Sequence, residues 1–130
     1  MASIFTKIIN REIPGHIVAE DDKFIAFLDI NPNAKGHTLC VPKKEIDKLF
    51  DLDDDTYVAL MQFAKKVGLG IRKSINCKRV GMSVVGLEVP HVHVHLIPLN
   101  KMSEMTFQEK VKMQDDELKE VAQKIADAIE

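Results

Sequence analysis

The sequence predicts an α+β fold: an antiparallel β-sheet of about five strands, a long helix packed on it and a C-terminal helix. Three observations carry this expectation. The first third of the chain holds β-prone runs separated by short turns, an apolar stripe of helical period begins after Asp53, and a second such stripe lies near the C-terminus. In order along the chain, "HIVAE" and "KFIAFLDI" read as strands joined by the turn pair Asp21-Asp22, and "HTLCVP" follows the loop "NPNAKG". Together they form an antiparallel meander. Asp53 can cap a helix in which Tyr57, Leu60, Met61, Ala64, Val67, Ile71 and Ile75 recur at spacings of three and four, so one face packs on the sheet. Gly68 and Gly70 read as permitting close backbone packing, since no strand-to-helix glycine fingerprint surrounds them. "VGMSVVG" and "HVHVHLI" supply two further strands, and a final helix sets Leu118, Val121, Ala122, Ile125 and Ile129 on one stripe behind Asp115 and Asp116.

A chain of 130 residues has the usual size of one domain, here residues 1–130, and can bury a core without disulfides. Apolar residues make up 45% and charged residues 29%, a globular balance. With 18 Lys and Arg against 20 Asp and Glu, there is no broad positive field to gather nucleic acid, and any anionic ligand must be held locally. The opening stretch "MASIFTKIINREIP" mixes charge into its apolar positions, which argues against a signal peptide, a spanning helix or a membrane partner and for a cytoplasmic protein. Cys40 and Cys77 have no CxxC spacing, so both are expected as small buried residues rather than as disulfide or zinc ligands.

The segment "HVHVHLIPL", His91–Leu99, gathers three of the chain's five histidines. In an extended strand His91, His93 and His95 share one face at a spacing of roughly 6.5–7 Å, while Val92, Val94 and Leu96 share the other, suited to a core under the long helix. Pro90 and Pro98 are expected to bracket the strand. Three readings compete: a solvent-facing polar face, a metal site, and nucleophilic catalysis at phosphorus. A straight strand does not bring three imidazoles onto one ion at about 2.0–2.1 Å. Imidazole titrates near pH 6.5, so a row of them can combine a nucleophile with proton donors and cationic character beside it, as phosphoryl chemistry requires.

At these residues the chain resembles the histidine triad nucleotide-binding proteins, whose pattern is His-apolar-His-apolar-His followed by two apolar residues. "IFTKIINREIP", "EDDKFIAFLDINPNAKGH" and "VPKKEI" extend the likeness to the Hint-type branch over about residues 4–98. The tail, read as helical over about 103–130, carries less of it. The resemblance implies a HIT-like fold and a nucleoside phosphoramidase or nucleotidyl hydrolase in which His93 attacks the α-phosphorus to give a nucleotidyl-histidine. It implies that His91 and His95 support the nucleophile and contact phosphate or leaving group, that His37 is the additional active-site histidine, and that Asp29 accepts the ribose hydroxyls. Phe5, Ile8, Phe27 and Ile30 match the walls around the base, with ordinary core as the competing reading. Asp29 can equally cap the turn that follows it. The implied partners are a purine nucleotide or nucleotide conjugate and a second copy of the chain; no cofactor is implied.

Two departures qualify the match. Where many bacterial relatives carry zinc ligands, with a Cys-x-x-Cys pair and a histidine, this chain has Ser3, Thr6 and Glu45, so structural zinc is not expected. The segment before the triad, "GMSVVGLEVP", is shorter than the family's and offers Ser83, Leu87 and Glu88 in place of an asparagine and a hydroxyl residue. Ser83 is a candidate phosphate contact. Glu88 is either a solvated loop carboxylate or a group that repels strongly anionic leaving groups. Hydrolysis of dinucleoside polyphosphates and a nucleotide-binding regulatory module of weak turnover remain as alternatives.

Overall fold

The computed structural model describes residues 2–130. A short helix α1 (Ile4–Ile9) precedes strands β1 (Ile17–Glu20), β2 (Phe24–Leu28) and β3 (Thr38–Pro42). Helix α2 (Asp54–Ser74), strands β4 (Arg79–Ser83) and β5 (Val94–Leu99) and helix α3 (Asp115–Ala128) follow. The five strands form one antiparallel sheet in the order β1-β2-β3-β5-β4. No helix among the described residues is long and apolar enough to cross a membrane.

The sheet is covered on both faces, which is why β2 reads as an unbroken apolar run rather than an alternation. Phe24, Ala26 and Leu28 face α2 and α3 together with Cys40, Val92, Val94 and Leu96. Ile25 and Phe27 face the other way and pack with Leu39, Val41 and the α1 residues Phe5 and Ile8. The Asp53 carboxylate accepts from Thr56 N at 2.7 Å and caps α2, and Asp54 and Asp55 in its first turn complement the helix dipole. Leu60, Phe63, Ala64, Val67 and Ile71 are its buried stripe; Tyr57 sits at the margin and Ile75 is the C-cap. A β-carbon on Gly70 would lie 2.5 Å from Ile129 Cγ1, so glycine there admits the end of α3.

Five features depart from the sequence reading. Helix α1 has only six residues, too few for a period to show in the sequence; Ser3 caps it by accepting from Thr6 N. Strand β5 begins at Val94, so His91 and His93 precede it. The β3 ladder ends at Cys40–Val94 and the β4 ladder at Ser83–His95, and the backbone before that point turns to Ile46, whose carbonyl accepts from Val92 N at 2.8 Å. Pro98 lies inside β5, paired with Val80; β3 pairs no further than Leu96, so no strand on that side requires its missing N–H. The tail is helical only from Asp115, apart from one 3₁₀ turn at Met102–Met105, because Phe107 takes a left-handed φ of 63° that no helix continues. Of the cysteines, Cys40 is buried and Cys77 only half-buried.

The turn that carries the chain into β3 depends on Gly36, whose φ is 102° and whose absent β-carbon would stand 3.1 Å from both Ile75 Cγ1 and Pro98 Cγ. His37 N donates to Ala34 O at 3.0 Å to close this turn, so Gly36 also sets where His37 begins. Gly36→Ala is expected to lower unfolding stability by roughly 1–3 kcal/mol, read from the urea midpoint. An unchanged midpoint would show that the turn accepts a side chain.

Candidate active site

The side-chain alternation expected of the triad survives although the regular strand does not. Val92, Val94 and Leu96 enter the helix-side core, and His91, His93 and His95 point to the α1 side. All three histidines are buried, with exposures of 0%, 6% and 7%, so the polar-surface reading is excluded. The His93 and His95 ring centroids stand 4.9 Å apart, closer than the backbone repeat alone would place them.

Each ring is oriented by hydrogen bonds that also fix its protons. His93 Nδ1 lies 2.7 Å from the backbone carbonyl of His91; a carbonyl only accepts, so Nδ1 carries the proton and, in the neutral ring, Nε2 keeps a free lone pair. His91 Nε2 donates to Pro42 O at 2.7 Å, which leaves Nδ1 to accept from the Ser3 hydroxyl at 2.7 Å. His37 Nδ1 accepts from Asn33 N at 3.0 Å, so its proton sits on Nε2 and is donated to His95 Nδ1 at 2.9 Å. His95 is thereby left with its proton on Nε2. The four rings thus hold one bare nitrogen, on His93, and one N–H without a partner, on His95.

The electrostatics correct one expectation. Cationic character was expected on a histidine beside the nucleophile, yet burial works against charge on His37, His91 and His95. Desolvation, then the neighbouring His95 and Lys110, bring His37 down to about 3; desolvation, then His93 and Lys110, bring His95 down to about 4. Burial also lowers His91, despite the Pro42 carbonyl and the Glu45 carboxylate. These three imidazoles are neutral at pH 7.

Asp29 caps the turn that follows it. One oxygen accepts from Asn31 N at 2.8 Å and caps the "NPNAKG" turn, while the other lies 3.7 Å from His37 Nε2. Burial raises its carboxyl above the ordinary range. Phe5 packs on His93 at 4.8 Å and on His91 at 5.9 Å between ring centroids, and meets Phe27 at 5.5 Å. Ile8 and Phe27 are buried in the same cluster, whereas Ile30 is 72% exposed beyond Asp29. Ser83 pairs with His95 across the β4–β5 ladder, and its hydroxyl is buried without a partner. Glu88 is exposed, and its charge contributes to raising Asp29. The structure adds residues the sequence reading passed over: Asn33, which orients His37, and Phe107 with Lys110, from the tail. Phe107 lies edge-on to His95 at 4.7 Å and to His37 at 6.1 Å.

Two groups of side chains invite a test for metal. At the family's zinc positions Ser3 N and Thr6 Oγ1 both donate to Glu45 Oε1 at 2.7 Å, and Ser3 Oγ occupies His91 Nδ1. Two neutral hydroxyls replace the thiolates that zinc favours, and the His91 lone pair is already used, so these residues do not fit zinc. Asp29, His37 and His95 present ligand atoms within 4.8 Å of one another. There, Asn33 N–H commits His37 Nδ1 and keeps the Nε2 lone pair covered by a proton, so this group does not fit either.

The depressed histidines have a consequence for stability. Because their folded-state values lie below the ordinary 6.5, the unfolded chain binds more protons than the folded one between about 6.5 and about 4. Their contribution is complete above about pH 6.5 and is lost as pH falls toward about 4. Glu20 and Glu45, carboxyls held low by hydrogen bonds, act only below the ordinary 4.5. The urea midpoint is therefore expected to fall between about pH 7 and pH 5 as the imidazoles lose their contribution, against the opposite and smaller effect of the raised Asp29 carboxyl. A flat profile over that window would contradict neutral, buried imidazoles.

Comparison with known proteins is consistent with this geometry. A family model described as the HIT domain matches residues 10–102. An uncharacterized HIT-like protein of Methanocaldococcus jannaschii is 44% identical over 99 residues, covering 73% of this chain and 77% of that protein. The adenosine 5'-monophosphoramidase of Saccharomyces cerevisiae is 40% identical over 98 residues, 75% of this chain and 62% of that protein. Among solved structures, a Hit-like protein from Bartonella henselae superposes with a TM-score of 0.86 at 32% identity, over 98% of this chain and 96% of that one. With the triad, its fold and the matched residues in agreement, this chain belongs to the HIT family.

Proposed function

We propose that the protein is a nucleotide hydrolase that cleaves the α-phosphorus bond of nucleoside phosphoramidates or nucleotidyl esters through a nucleotidyl-His93 intermediate. The observation that carries this reading is the His93 Nδ1 contact with His91 O, which leaves Nε2 as the one bare imidazole nitrogen of the cluster. The relatives named adenosine 5'-monophosphoramidase, at 40% and 36% identity, support the substrate class.

In the first step His93 Nε2 forms a bond to phosphorus while the bond to the leaving amine or alcohol breaks. The leaving amine or alcohol accepts a hydrogen bond from His95 Nε2–H, the unpartnered donor beside it, and takes up a proton from solvent as it departs. In the second step water attacks phosphorus, the P–Nε2 bond breaks and the proton of the attacking water is lost to solvent. The products are a nucleoside monophosphate and the free amine or alcohol. His37 holds His95 in the donor tautomer, and His91 holds the nucleophile through its carbonyl. Asp29 has a carboxylate oxygen to offer the ribose hydroxyls; Phe5, Ile8, Phe27 and Ile30 are assigned to the base, and Ser83 and Glu88 to the surroundings of the phosphate. Strand β4 has a neighbour on one side only, and its exposed Met82 supports a second copy of the chain as the partner along that edge.

The test is His93→Ala, which removes the bond-forming group but little of the nucleotide's contact surface. Release of adenosine monophosphate from an adenosine phosphoramidate is expected to fall on the order of a thousandfold or more, while calorimetry finds the monophosphate still bound. Most of the activity surviving in His93→Ala would remove that residue as nucleophile.

A further inference from the structure

A site that breaks bonds at phosphorus gathers negative charge, and the imidazoles of this one that burial acts on are neutral. Asp29 and the field of Glu88 add more of the same sign. A cation must come from elsewhere, and the tail supplies one. Lys110 is the lysine whose field reaches Asp29, His37 and His95 alike.

Its placement rests on contacts as well as on field. Lys110 Nζ donates to Asn33 Oδ1 at 2.7 Å and stands 5.1 Å from the centroid of the Phe107 ring. The same Phe107 packs edge-on against His95 and His37. Asn33 in turn is the residue whose backbone N–H fixes the His37 tautomer, and Val111 N donates to Pro32 O at 2.8 Å, so the tail is pinned to the "NPNAKG" loop at successive points. Phe107 is held at a φ of 63°, a conformation unfavourable for a bulky side chain that its surroundings must enforce. Among the described residues no carboxylate lies within ion-pair distance of Lys110, so its charge rests against a neutral amide and a ring face. The amide nitrogen of that same Asn33 is buried without a hydrogen-bond partner, a second donor beside the ammonium with nothing of the protein to bind.

We propose that Lys110 is the phosphate-recognition residue of this site, its ammonium pairing with non-bridging phosphate oxygens of the bound nucleotide from a position set by Asn33 and Phe107. The proposal rests on the nucleotide reading above and assigns a role to the tail, which lies beyond the matched residues 10–102. It also sets Lys110 against Glu88 as opposite charges acting on one phosphate.

The experiment is calorimetric binding of adenosine, guanosine and their 5'-monophosphates to the full chain and to Lys110→Met and Lys110→Arg. Lys110 is exposed, so its substitution leaves folding intact. The wild-type chain is expected to bind a monophosphate more tightly than its nucleoside. Lys110→Met is expected to lose about tenfold in monophosphate affinity, the size of one charge-assisted contact, with nucleoside affinity unchanged, and Lys110→Arg to recover most of the loss. Equal monophosphate affinity in wild type and Lys110→Met, or an equal loss for nucleoside and monophosphate, would overturn the assignment while leaving the nucleotide reading in place. A wild-type chain that binds none of the four would overturn the nucleotide reading, and the role of Lys110 with it.

Discussion

The His91 carbonyl, 2.7 Å from His93 Nδ1, decides which nitrogen of the central imidazole carries the proton, and much of the surrounding structure serves to keep that carbonyl in place. His91 is itself held at both ring nitrogens, by Pro42 O at the end of β3 and by the Ser3 hydroxyl at the start of α1. Ser3 also caps α1 and donates through its backbone to Glu45. The short helix, the central strand and the triad are therefore tied through one buried side chain. A loss at any of these points frees the His91 backbone and with it the orientation of the nucleophile.

The same burial that orders His37, His91 and His95 removes their charge. A buried imidazole is tolerated when its polar nitrogens are used, and the chain from Asn33 through His37 to His95 uses every ring nitrogen of the two histidines except His95 Nε2. The result is a set of neutral rings able to accept and donate protons but unable to offset phosphate charge. Positive charge is then left to a side chain that burial does not reach, and Lys110, exposed on an otherwise irregular tail, meets that condition.

Much of this was legible in the sequence, because the signals were periodic. The meander, the α2 stripe beginning at Asp53 and the α3 stripe from Leu118 to Ile125 follow from spacing alone, and His91, His93 and His95 announce themselves by alternation. The features that escaped have no period. Helix α1 is a turn and a half long. The start of β5 at Val94 is set by where its two neighbours stop, a tertiary fact. Phe107 and Lys110 sit in a stretch read as helical, and only the folded chain reveals that a left-handed residue turns it back over His95. The neutrality of His91 and His95 escaped for a related reason. Residue type supplies an imidazole's ordinary titration, but its burial depends on Phe5, Phe107 and the sheet, which meet only in three dimensions.

The central claim is that the backbone sets the proton on His93, and nitrogen-15 NMR of the histidine side chains reads that proton directly. At about pH 8, where an ordinary imidazole is neutral, the Nδ1 resonance of His93 should have the shift of a protonated ring nitrogen and Nε2 that of a bare one. His37 and His95 should both show the opposite arrangement, with the proton on Nε2. A bare Nδ1 and a protonated Nε2 on His93 would contradict the account, for the nitrogen assigned to attack phosphorus would then have no lone pair to give.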